Sequence, residues 1–274
     1  MRYRSFTLSV VFLCFSAAST WAAKLKEVTL DSWNHYVSLT EARIDEELSS
    51  PSGFLVHDFL DPAEAAQIRS AIRSGIFVRK MTTRNPEGGE VKIPDGLVHH
   101  WYATVRVPRA KLEDVIAWVQ DYDRHHEYYD EVEDSRLIER KGDVFDIFLR
   151  LKRKKVITVH YNTNHSVAYR RLSPERMASR SESTHIAELE DPGSSREKEK
   201  SPDADRGFLW RLNSYWRFAQ EGDGVVVECE SVSLSRTIPV AFRWIVKPFI
   251  NSVPKESLEA TLLPLRTAIA GAGP

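Results

Sequence analysis

The chain has 274 residues, 42% hydrophobic and 28% charged, with a formal net charge of −1. This is the profile of a globular protein of one or two domains with a sizeable core. A near-neutral balance without a basic stripe argues against a nucleic-acid partner and against recruitment by a global field.

The first residues, MRYRSFTLSVVFLCFSAASTWAA, read as a secretory signal. Arg2 and Arg4 form the basic start, Phe6 to Ala18 the apolar segment, and Thr20-Trp21-Ala22 supplies small residues at peptidase positions. The apolar run is short for a membrane span, which needs about 20 residues. Cys14 follows Leu13 and lacks the small preceding residue of a lipoprotein site. The expectation is a signal peptide over 1–22, cleaved before Ala23, and a periplasmic or secreted mature protein. Cleavage leaves 36 basic and 39 acidic residues and a single cysteine, Cys229, so no internal disulfide can form.

Residues 23–96 read as a helical N-terminal extension. Trp33, Tyr36, Val37, Thr40, Ile44 and Leu48 recur at helical spacing, with Asp31 placed to cap the start. DPAEAAQIRSAIRSG predicts a second helix capped by Asp61, with Pro62 in its first turn and Gly75 at its end. NPEGGE then punctuates two short extended stretches, and PDG at 94–96 makes a further turn.

From residue 97 the pattern changes. LVHHWYATVRVP alternates, with Trp101, Ala103, Val105 and Val107 on one face. RAKLEDVIAWVQDY predicts a helix with Leu112, Val115, Ile116 and Val119 inward, and RHHEYYDEV a short helical stretch. Strands are expected at 132–140, 143–152, 156–170, 175–188, 207–219 and 225–236. DPGSSREKEKSPDAD reads as a solvated loop. Prolines 239, 248, 254 and 264 divide the remainder into helical pieces, the last with Leu258, Leu262, Leu265 and Ile269 as its apolar stripe.

In the 207–219 strand, Trp210, Leu212, Ser214, Trp216 and Phe218 alternate with Arg211 and Arg217. An even loop within EGDG places the first set beside Val225, Val227, Cys229, Ser231 and Ser233. It places the arginines beside Glu228 and Glu230, which reads as a solvated outer face laced with weak cross-strand pairs. On the apolar side, large residues beside small ones fit either a tightly interdigitated core or the wall of a cavity. Phe145, Ile147, Leu149 and Leu151 form another apolar face. An odd loop around the Lys152–Lys155 run would match them with Ile157, Val159 and Tyr161, and an even loop with His160 and Asn162; apolar matching favours the odd loop. The basic run itself reads as a hairpin tip in water, with transient contact to an anionic membrane as a second reading. His125 and His126 are adjacent, so helical geometry points them about 100° apart and does not favour a shared metal. Ser179, Ser181, Ser183 and His185 fall on one face of the 175–188 strand, without the elbow a serine hydrolase needs.

The run ATVRVPRAKLEDVIAWVQDYDRHHEYYDEV, the strand series after it and the closing KPFINSVPKESLEATLLPLR resemble the START-like SRPBCC superfamily, in its polyketide cyclase and coenzyme Q-binding branches. The resemblance covers about residues 97–270 and is diffuse; His126 stands where many relatives carry proline. It implies an α+β helix-grip fold, a curved antiparallel sheet of about seven strands wrapped on a C-terminal helix over residues 97–274. It also implies an apolar cavity between sheet and helix. The wall would comprise Trp101, Phe145, Ile147, Leu149, Tyr161, Ser181, Ser183, Trp210, Leu212, Ser214, Trp216, Phe218, Cys229, Ser231, Leu258 and Leu262. The expected function is non-catalytic binding or transfer of a hydrophobic small molecule or lipid, with neither cofactor nor metal. The alternative is a cyclase/aromatase-type enzyme acting on a polyketide-like substrate, which the lack of a clear acid–base pair disfavours.

Overall fold

The structure is a computed structural model that describes residues 24–154, 158–202, 204–237, 255–267 and 269. The expected signal segment, the end of the basic run and the stretch 238–254 lie outside the described residues.

Helix α1 (Glu27–Ser49) buries Trp33, Tyr36, Val37, Thr40 and Ile44, as the spacing predicts. It starts a turn earlier than expected, so Asp31 lies inside the helix. Thr29 explains the extra turn: it is fully buried and its hydroxyl donates to the Pro94 carbonyl at 2.8 Å. A 3₁₀ turn (Val56–Phe59) leads to α2 (Pro62–Ser74). There the Asp61 carboxylate accepts the Ala63 and Glu64 N–H groups, both at 3.0 Å, and Gly75 ends the helix.

The strands are β1 (Ile76–Lys80), β2 (Gly96–Pro108), β3 (Val132–Lys141), β4 (Val144–Lys154), β5 (Thr158–Ser173), β6 (Arg176–Glu190), β7 (Lys198–Glu199), β8 (Arg211–Glu221) and β9 (Gly224–Arg236). Between β2 and β3 lie α3 (Leu112–Val119), a 3₁₀ turn and α4 (His125–Tyr128); a further helix, α5, covers 255–267. All pairings are antiparallel, in the order β1-β2-β9-β8-β6-β5-β4-β3, with β7 beside β6. Among the described residues the sheet therefore has nine strands, the expected seven with β1 and β7 added. β1 lies in the N-terminal extension, in the first of the two short extended stretches expected around NPEGGE, and pairs with β2 from Ile76↔Val105 to Lys80↔Trp101. β7 lies in the expected loop, where Glu197 and Glu199 are tied to Arg150 and Asn162.

Two faces follow from this register. The inner face packs on α3 and α5: Val105, Val225, Val227 and Phe218 form one cluster with Leu112, Val115, Leu258, Leu262 and Leu265. A sheet closed on a C-terminal helix is the helix-grip fold.

The outer face is not solvated. α1 covers Tyr215, Val232 and Leu234, while Phe54, Leu55, Val56, Ile68 and Ile72 cover Tyr102, Ala219 and Val226. Arg217, Glu228 and Glu230 are 3%, 1% and 3% exposed. Arg217 donates to the Phe54 carbonyl at 2.8 Å and to Glu47. Glu228 accepts the Val56 N–H at 2.8 Å and the Tyr102 hydroxyl; Glu230 is paired with Arg43 and with His100 Nε2 at 2.7 Å. Local alternation cannot reveal this cover, because it comes from α1 and the 54–72 segment, far in sequence from β8 and β9.

Candidate ligand-binding face

Two hairpins fix which side chains share the inner face. Glu221↔Gly224 leaves a two-residue turn between β8 and β9, with Gly222 in the left-handed region at φ 60°. Its even length keeps Leu212, Ser214, Trp216 and Phe218 beside Ser233, Ser231, Cys229 and Val227. Lys154↔Thr158 leaves three residues between β4 and β5, the odd loop that apolar matching favours. Tyr161 consequently shares a face with Leu151, while His160 turns outward to Glu133 at 2.8 Å.

Two rows of inner-facing residues result across the middle of the sheet. One runs Phe145, Val167, Ser181, Ser214, Ser231, Trp101, and the other Ile147, His165, Ser183, Leu212, Ser233, His99. Adjacent strands lie about 4.8 Å apart, so the three serines of the first row span about 10 Å. Ser181, Leu212, Ser214, Trp216, Ser231 and Ser233 are half-buried, in contrast to the sealed cluster around Phe218 and Leu262. Among the described residues, the hydroxyls of Ser181, Ser231 and Ser233 have no hydrogen-bond partner. Ser214 Oγ accepts the Trp216 indole N–H at 3.2 Å, and Trp216 stacks on Phe218 with centroids 6.0 Å apart and planes 6° apart.

The expected wall thus divides. Phe145, Ile147, Phe218, Cys229, Leu258 and Leu262 are 5% exposed or less and act as protein core, with Trp101 (8%) and Leu149 packed against them. Ser181, Leu212, Ser214, Trp216 and Ser231 form the face left half-open. Ser183 is on the inner face but takes the Leu212 N–H at 3.0 Å, where β6 and β8 part after Glu182↔Asn213. Tyr161 is 6% exposed and its hydroxyl has no hydrogen-bond partner.

Two placements differ from expectation. Trp210 packs on the outer face with Trp33, Tyr36 and Tyr215. Regular pairing of β8 starts only at Arg211, after Gly207 (φ 69°) and a contact from the Trp210 N–H to the Leu234 carbonyl, so strand alternation does not reach Trp210. His185 leaves the face of Ser183 because Thr184 is bulged: Ser183 pairs with His165 and His185 with Asn164. It is exposed and meets Glu199 at 3.0 Å.

Sequence reasoning did not single out His99 and His165, although each lies an even number of residues from Trp101 or Tyr161, which is the signal that places it inward. Burial lowers both imidazoles to about 4, helped at His99 by the Lys80 charge, so both are neutral at pH 7. His99 Nε2 lies 2.9 Å from Ser235 Oγ and His165 Nε2 lies 3.1 Å from Thr163 Oγ1. Burial, followed by the Glu188 charge, raises the Tyr161 phenol well above its ordinary value, and burial also raises the Cys229 thiol. Glu188, opposite Tyr161 in register, is tied to Lys200 at 2.5 Å and Arg206 at 3.4 Å. A separate surface pocket of about 310 Å³ includes those three residues; its cations are already paired there.

His125 and His126 point to different partners, the Val119 carbonyl at 3.1 Å and Ser135 Oγ at 3.1 Å.

No family model matches the chain, and no curated protein matches it. Solved structures do. A fragment of the STAR-related lipid transfer protein of Xanthomonas axonopodis is 20% identical at a TM-score of 0.49, over 72% of this chain and 94% of that one. Human STARD10 is 11% identical at a TM-score of 0.45, over 81% and 84%. The Zhui aromatase/cyclase of Streptomyces sp. R1128 is 11% identical at 0.43, over 63% and 94%.

Proposed function

We propose that the protein binds a hydrophobic small molecule or lipid between the inner face of the sheet and α5, and carries it without transforming it. The observation that supports this reading is the half-buried patch around Trp216, with three hydroxyls that have no hydrogen-bond partner. Half-buried serine hydroxyls left unpaired among the described residues, beside aromatic surface, can serve a guest molecule. The neighbouring histidines favour binding over acid–base catalysis. Among the described residues, His99 has a serine partner but no third group that orients its ring, and His165 bonds only to Thr163.

The proposal includes export, since the basic and apolar start of the chain has the order of a secretory signal. Mass spectrometry under native conditions, on protein purified from its own host, tests both parts. The reading expects a chain beginning near Ala23 and a co-purified apolar molecule released on unfolding. An intact Met1 in the membrane fraction would end the export reading, and a bare protein mass the binding one.

A further inference from the structure

The two central rows contain hydroxyls, aromatic and aliphatic groups, and two imidazoles, but no carboxylate, ammonium or guanidinium. Among the described residues, charges enter only beyond them. Lys80 lies exposed on the edge strand β1, opposite Trp101. Arg140, on the edge strand β3, sits over the Phe145 ring at 4.6 Å. Glu188 at the end of the face is occupied by Lys200 and Arg206, and Arg153 by Glu131. The imidazoles add no charge at neutral pH, because burial holds both well below it.

From this arrangement we infer that the molecule taken up is uncharged and carries neutral oxygens, as esters, ketones or hydroxyls, and that carboxylate and phosphate headgroups are rejected. A serine hydroxyl can donate or accept, so Ser181, Ser214 and Ser231 can serve a carbonyl, an ether or a hydroxyl equally. Within the two rows an ionised headgroup would lose its water without meeting a counter-charge, and that cost far exceeds what neutral hydroxyls return. The inference rests on the binding reading above and narrows it to a class of ligand.

Three probes with one acyl chain and different heads test it: 1-monopalmitoylglycerol, palmitate and 1-palmitoyl lysophosphatidic acid. Each is titrated below its micelle concentration into the full purified protein, with tryptophan fluorescence as the readout. The neutral ester is expected to bind, with both anions weaker by about tenfold or more. Ser181→Ala combined with Ser231→Ala, two hydroxyls without a partner among the described residues, is expected to weaken the ester by about tenfold, the worth of one or two neutral hydrogen bonds, at an unchanged melting temperature. Anion binding equal to or tighter than that of the ester overturns the charge rule and leaves the binding reading standing. Undiminished ester binding by the double variant overturns the role of the serines. Silence from all three probes overturns the inference together with the binding reading.

Discussion

Cys229 and His165 both sit on the inner face, and burial acts on them in opposite directions. A thiol must lose a proton to react, and burial disfavours the thiolate, so Cys229 should resist thiol reagents in the native protein. Modification that follows the unfolding rate is the expected result, and rapid labelling of the folded chain would contradict it. The His165 imidazole is 5% exposed and is held at about 4, whereas the unfolded chain titrates near 6.5. Between those values the unfolded state binds the extra proton. Stability is therefore full above pH 6.5 and falls as the pH drops towards 4, by up to about 1.4 kcal/mol per pH unit. Denaturant melts across that window should show the slope, to which the similarly lowered His99 and His125 also contribute, and His165→Gln should reduce it by the share of one imidazole. An unaltered slope in the variant would place the titration elsewhere.

At the scale of elements, the outer face and α1 form one buried ionic joint. Glu230 holds Arg43 and His100 on a single oxygen, and its other oxygen has no hydrogen-bond partner. Burial works to raise this carboxyl, but His100, Arg43 and Arg217 outweigh it, so the group titrates below the ordinary carboxylate range. The folded pKa is depressed; its contribution is therefore present above about pH 4.5 and is lost as the pH falls through the folded value. Glu230→Ala leaves His100 without its acid and Arg43 with Glu47 alone, and should cost about 3 kcal/mol. Hydrogen exchange should show α1 loosening first, and a variant with wild-type stability and protection would refute the joint. α5 makes the matching contribution on the inner side: Leu262 is fully buried, and Leu262→Ala should cost about 2–5 kcal/mol. A change below about 0.5 kcal/mol in a urea melt would mean that the helix is not docked there.

These elements also show which features local sequence could reveal. Strand alternation and turn parity placed Trp216 beside Cys229 and turned His160 outward, because both depend only on neighbours and loop length. Arg217, Glu228 and Glu230 looked solvated for the same reason: alternation specifies two faces, but not what lies on each. Their cover comes from distant residues such as Glu47 and Val56. Trp210 and His185 were misplaced where alternation itself breaks, at an irregular strand entry and at the Thr184 bulge.

The whole molecule is a three-layer assembly: α1 and α2 outside, the nine-stranded sheet between, and α3 with α5 inside. α5 is also held from the far side, since the Arg266 guanidinium donates to the carbonyls of Ile72 and Arg73 at 3.0 Å, at the end of α2. The N-terminal layer thus supports the helix that closes the inner face, and shape at the candidate site depends on both ends of the chain. The measurement that tests the account most directly sets binding against folding in one variant. Wild type and Trp216→Ala are titrated with a panel of lipids and quinones by fluorescence, and both are melted in urea. The account predicts a ligand for the wild type, an affinity at least about tenfold weaker in the variant, and a stability loss smaller than the 3–5 kcal/mol of a buried aromatic. A loss of about 3–5 kcal/mol, with a wild type whose fluorescence and melting answer to no ligand, would make Trp216 ordinary core and contradict the account.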